Sequence, residues 1–182
     1  MSVKSILVSQ PKPETAKSPY FDLAEKYKIK VDFRPFIHVE GVDAQSFRQD
    51  RVDFSKYTAV VLNSRVAIDH YFRMANELRF NVPDTMKYFC TSEAVALYLQ
   101  KYVVYRKRKI FFGKQVIKDL IDVMKKHKDE KFLFPCSDVN NQMGSTILSE
   151  AGYDVTDAVI YKTVCSDLSD LADVNYDMLV FF

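Results

Sequence analysis

Short runs rich in valine, isoleucine, phenylalanine and tyrosine alternate with segments of helical period along almost the whole chain. This alternation narrows the possible folds more than any other feature. Residues 5–9 read as a strand, after which Tyr20, Leu23, Ala24 and Tyr27 recur at the spacing of one helix face. Residues 58–62 form an apolar run followed by the stripe Ile68, Tyr71, Phe72, Ala75 and Leu78. Residues 87–90 repeat the pattern, with a helix through Ala94, Val95, Tyr98 and Leu99. Ile110 to Phe112 precede the amphipathic set Val116, Ile117, Leu120, Ile121 and Met124, and residues 131–134 precede Met143, Ile147 and Ala151. Gly152 stands where a left-handed residue would stop that last helix. Strands alternating with helices of this length mean βαβ units and a mostly parallel sheet, hence an α/β fold.

Two long extended runs, residues 30–39 (interrupted by Pro35) and 158–165, differ from these compact units and bracket four of them. Val31 to Val39 is expected to lie beside Ala158 to Cys165 as a two-strand connection between domains. The expected organisation is therefore two α/β domains with parallel sheets joined by a two-stranded linker. Residues 1–35 with 167–182 form a discontinuous first domain, 36–42 and 158–166 the linker strands, and 43–157 an inserted second domain.

Charge is balanced, 26 Lys+Arg against 24 Asp+Glu, which disfavours a generic nucleic-acid binder. The positive charge is local: residues 101–131 hold 11 Lys+Arg and 4 Asp+Glu, with Arg106-Lys-Arg-Lys109 at the centre. That run reads equally well as a solvated loop or as an anion-facing patch, and it lacks the interleaved aromatics of RNA-binding modules. No apolar stretch approaches the length of a membrane span, and the apolar patch near the start of the chain is too short for a signal-peptide core, so a cytoplasmic location is expected. Three cysteines, Cys90, Cys136 and Cys165, without C-x-x-C spacing argue against both a disulfide framework and a zinc site. All three are expected to be free thiols in apolar surroundings.

With only 4 glycines, none at the required spacing, neither the dinucleotide fingerprint nor the P-loop can form, and Gly113-Lys114 is followed by Gln115 rather than a hydroxyl residue. His38, His70 and His127 are too dispersed for a local metal motif. More informative are three strand-to-helix junctions with capping residues: Asn63-Ser64-Arg65, Thr91-Ser92-Glu93 and Ser137-Asp138. In a parallel sheet these lie along the carboxyl edge, where helix N-termini favour anions. Plain helix capping needs the same residue types. Three along one edge point to an anion-binding cleft.

The succession of Tyr57-Thr-Ala-Val-Val-Leu-Asn-Ser-Arg-Val-Ala67, Phe132-Leu-Phe-Pro-Cys136, Leu148-Ser-Glu-Ala-Gly152 and Val159-Ile-Tyr-Lys-Thr-Val164 resembles the uroporphyrinogen-III synthases. Ser18-Pro-Tyr20 and Leu179-Val-Phe-Phe182 fit the same pattern. The resemblance implies two α/β domains on a two-stranded linker and a lyase that needs no cofactor or metal. Its small-molecule substrate is hydroxymethylbilane, a polycarboxylate cyclised with inversion of ring D and loss of water in haem (tetrapyrrole) biosynthesis. It implies neither a nucleic-acid nor a membrane partner, and it leaves the oligomeric state open. The family tyrosine falls on Tyr161, as the catalytic group assisting departure of the hydroxyl. Substrate binding falls to Asn63, Ser64, Arg65, Thr91, Ser92 and Ser137, with Lys12 substituting for an arginine after the first strand. Glu93 stands where the family has a threonine, which makes Thr91 or Ser92 the group expected to face substrate. The family continues beyond the last strand, so the first domain is expected to be incomplete at its C-terminal end. The alternative expectation is a non-catalytic polycarboxylate-binding or regulatory α/β module.

Overall fold

The computed structural model describes residues 3–15, 17–139 and 141–181, excepting the side chains of Asn141 and Gln142. In chain order the regular elements are β1 (Ser5–Val8), α1 (Pro19–Tyr27), β2 (Lys30–Phe33), β3 (Ile37–Gly41), α2 (Ala44–Phe47), β4 (Ala59–Leu62), α3 (Arg65–Glu77) and β5 (Lys87–Cys90). There follow α4 (Glu93–Tyr98), β6 (Ile110–Phe112), α5 (Leu120–Met124), β7 (Lys131–Ser137), α6 (Asn141–Glu150), β8 (Asp154–Cys165) and β9 (Met178–Val180).

The chain divides into two compact units, residues 1–39 with 163–182, and residues 40–162. In the first, three parallel strands run in the order β2-β1-β9. Among the described residues of this unit α1 is the one α-helix, and it buries none of its residues: Leu23 is 42% and Tyr27 60% exposed.

The second unit holds most of a six-stranded sheet of order β3-β8-β7-β4-β5-β6, parallel from β8 to β6. Side chains alternate across it as the two-residue period of a strand requires. Val60, Leu62, Tyr88, Cys90 and Leu133 join the α3 and α4 side chains in one core cluster. Ala59, Val61, Phe89, Phe132 and Phe134 pack against Leu120, Met124 and Leu148 of α5 and α6 in the other. With helices on both faces β4 is wholly buried, which is why its sequence is continuously apolar. Gly152 takes φ +86°, and the Tyr153 N–H then reaches back to Leu148 O at 3.1 Å, ending α6 with both side chains in the core.

Several expectations need correction. Residues 30–39 are not one linker strand. Pro35 has no N–H to give a ladder, and the run breaks there. Lys30–Phe33 pairs in parallel with β1, leaving Ile37–Gly41 as the strand beside β8. Those two are antiparallel, since Val42 N–H donates to Ile160 O (3.1 Å) and Ser166 N–H to Phe36 O (2.9 Å). The stripe from Val116 to Met124 is a 3-10 turn, Ile117–Asp119, followed by one short helix, with Val116 exposed. Ser137 is the last residue of β7 rather than a helix cap, because α6 starts at Asn141. Cys90 and Cys136 are buried, but Cys165 is exposed. The terminal strand was expected to run to Phe182, which lies outside the described residues.

Candidate active site at the carboxyl edge of the six-stranded sheet

At the carboxyl ends of β4 and β5 the chain turns into helices through hydroxyl caps. Ser64 Oγ accepts from Ala67 N–H at 3.1 Å to start α3, and Ser92 Oγ accepts from Val95 N–H at 3.4 Å to start α4. The residue before each cap, Asn63 and Thr91, is left facing along the sheet edge. Thr91 Oγ1 donates to Asn63 O (3.2 Å), tying the two junctions together. Both line a cleft of about 460 Å³ whose other walls include Gln115, Lys118, Phe134, Met143 and Gly144. Gly144 is there because α6 comes close: a Cβ would lie 2.6 Å from both Ile117 Cδ1 and Phe134 Cζ. Asn63 Oδ1 is buried and has no hydrogen-bond partner among the described residues. Such a group costs about 1–3 kcal/mol until something pairs it.

Next to Asn63, the Ser64 side chain hydrogen-bonds the phenol of Tyr161 on β8. Burial raises the Tyr161 pKa above its ordinary value, and the Ser64 bond offsets only part of that, so the phenol stays protonated at neutral pH. Ser137 stands opposite Tyr161 in the β7–β8 register, just after a register shift.

His70 stacks on Tyr161 with ring centroids 5.1 Å apart and fixes the plane of the phenol. Arg73 Nε donates to His70 Nδ1 at 3.2 Å, which leaves the ring proton on Nε2. Burial, and then the Arg73 charge, push the His70 pKa down, so this ring is neutral at pH 7. Arg73 Nη2 also donates to Val42 O (2.8 Å) and Ile160 O (2.9 Å), crossing the space that Gly41 leaves open; a Cβ there would lie 2.7 Å from the guanidinium carbon.

Of the residues expected from sequence, the fold brings Asn63 and Thr91 to one cleft and Ser64, Tyr161 and Ser137 to the adjoining strand ends. Ser92 is occupied as a cap, and Arg65 is exposed with its guanidinium 5.3 Å from the Tyr98 ring. Lys12 is exposed in the first unit. Glu93 does not line the cleft; it borders a separate hollow with Lys107 and Phe112. Sequence reasoning missed Lys118, Gly144, His70 and Arg73. Lys118 falls inside the basic segment, which was a usable signal, whereas the His70–Arg73 pair looks like any helix surface. Among the described residues, no cluster of His, Cys, Asp and Glu is arranged to hold a metal ion, and no helix is long and apolar enough to cross a membrane.

Comparison with known proteins follows the same line. The family model described as uroporphyrinogen-III synthase HemD matches residues 18–182. No curated protein sequence matches the chain. A mutant uroporphyrinogen III synthase from the extremely thermophilic bacterium Thermus thermophilus is similar in structure with a TM-score of 0.64 at 14% identity, over 90% of this chain and 64% of that one. The uroporphyrinogen-III synthetase of Helicobacter pylori gives a TM-score of 0.57 at 15% identity, over 96% of this chain and 69% of that one. The chain thus spans 64% of the length of the Thermus enzyme. At these identities the likeness speaks for the fold, while the match over residues 18–182 establishes the lineage: the chain belongs to the uroporphyrinogen-III synthase family.

Proposed function

We propose that this protein is a cyclising lyase that converts hydroxymethylbilane to uroporphyrinogen III, with inversion of ring D and loss of water. The observation that carries the reading is the protonated, His70-stacked phenol of Tyr161 beside Ser64, one residue from the cleft that Asn63 and Thr91 line. The leaving hydroxyl takes a hydrogen bond, and then a proton, from the phenol as its C–O bond breaks, giving water and an azafulvenium cation, whose pyrrole N–H proton returns to the phenolate to leave the azafulvene. The substituted carbon of ring D then attacks to form a spiro intermediate, which fragments and recloses with the ring inverted.

Little acid strength is required. A cleft that folds the flexible substrate into the reacting geometry can supply much of the acceleration by positioning alone. Lys118 offers a cation to the substrate carboxylates, the Ser137 hydroxyl opposite Tyr161 offers a donor, the Thr91 oxygen offers an acceptor, and a pyrrole N–H is a suitable partner for the unpaired Asn63 Oδ1. This route needs no cofactor. A cytoplasmic location fits the free cysteines, which suit a reducing compartment.

The test is incubation of the chain with hydroxymethylbilane, followed by separation of the isomers after oxidation. Isomer III in excess is the expected product. Isomer I alone, the product of closure without inversion, refutes the proposal, and retained binding of the substrate in that case favours a polycarboxylate-binding module instead.

A further inference from the structure

The amino edge of the six-stranded sheet, opposite the cleft, carries a second cavity of about 390 Å³, within the range of small-molecule sites. It sits where the chain enters β5 and β6, and its floor is aromatic: Phe72, Tyr88 and Tyr102. Tyr102 stacks on Phe72 with centroids 4.4 Å apart and planes 4° from parallel. That ring is held from behind by Asp69, which accepts from the Tyr102 hydroxyl, from Tyr98 (2.8 Å) and from Lys101 (3.1 Å).

The basic run supplies the rim. Lys109 N–H and Ile110 N–H both donate to Arg106 O, at 2.9 and 3.1 Å, closing a tight turn. The turn puts Arg106 and Lys109 on this cavity, while Lys107 lines the neighbouring hollow with Glu93. Neither Arg106 nor Lys109 has a side-chain partner among the described residues, and Asp84 adds one acceptor to the rim. Two unpaired cations over an ordered aromatic floor are what a flat anion needs, because stacking and charge are then satisfied at opposite ends of the same molecule.

We propose that this cavity binds a planar aromatic molecule carrying a carboxylate or phosphate, at a site separate from the reaction cleft. The test uses 2-naphthoate and 2-naphthyl phosphate, titrated into the protein and followed by amide correlation spectra. The expected perturbations fall on residues 82–88 and 102–110, and the tighter of the two probes identifies the anionic group. Uncharged 2-naphthalenemethanol, which needs no variant, should bind about tenfold or more weakly, and Arg106→Gln combined with Lys109→Gln should weaken the better anion by a similar factor with the spectrum otherwise intact. Equal binding of the neutral analogue, perturbations confined to residues of the first unit, or no binding of either anion would overturn the proposal.

Discussion

Replacing Arg73 by alanine tests whether this one side chain anchors α3 to the two strands that leave the second unit. The guanidinium Nη2 serves two part-buried carbonyls, Val42 O and Ile160 O, at 2.8 and 2.9 Å, and Nη1 pairs with Glu77 at 2.6 Å. Ile160 O keeps the Val42 N–H after the substitution, but Val42 O loses its guanidinium donor. A hydrogen bond from a charged donor contributes about 1.5–3 kcal/mol, and the exposed i,i+4 pair with Glu77 adds only about 0.3–0.5 kcal/mol. The expected cost is thus roughly 2–4 kcal/mol. A chain with two units has no single unfolding free energy, so exchange of the Val42 amide is the better readout. It should quicken by about 30- to 700-fold, the rate equivalent of that cost. Arg73→Lys, which keeps the charge but cannot fork, should recover about half. Val42 exchange within roughly threefold of the parent in Arg73→Ala would refute the anchoring argument.

Other consequences are simpler to check. Gly144→Ala sets a methyl 2.6 Å from Ile117 and Phe134; overpacking of about 1–3 kcal/mol outweighs a helix-propensity gain of up to about 1 kcal/mol, so the melting temperature should fall by several degrees, and an unchanged value contradicts the tight contact. Cys90 and Cys136 are pushed up to about 12 by burial, whereas Cys165 is exposed, so one thiol should react with a disulfide reagent in the native protein and three after denaturation. His70 and His127 are both held below the ordinary histidine value, chiefly by burial, so the unfolded chain binds more protons than the folded one below about pH 6.5. Stability should therefore drop as pH is lowered from 7 to 5, and urea unfolding that shows it flat or rising there would reverse the assignment.

The alternation of apolar strands with helical stripes was legible because parallel strands covered on both faces must be continuously apolar, as 59–62 are. Helix starts at Ser64 and Ser92 and the stop at Gly152 were legible for the same local reason, since capping depends on neighbours in sequence. Residues 30–39 misled because β propensity does not say which sheet a strand joins; the break at Pro35 was visible, but its consequence was set by the register with β1. The cleft was half legible. Asn63 and Thr91 sit at junctions that topology lines up. The approach of Gly144 to Phe134 and the reach of Arg73 to Val42 and Ile160 depend on contacts far apart in sequence, which no local pattern encodes.

Turnover of Tyr161→Phe, with the isomers resolved, bears most directly on the proposal that the cleft works by positioning and the phenol only assists. General acid assistance is typically worth about 10²–10⁴-fold. The account predicts a rate loss inside or below that range, isomer III still the main product, and a smaller loss in Ser64→Ala. An unchanged rate would reduce Tyr161 to a packing residue, and complete inactivity with an intact fold would make the phenol indispensable; either result contradicts the account.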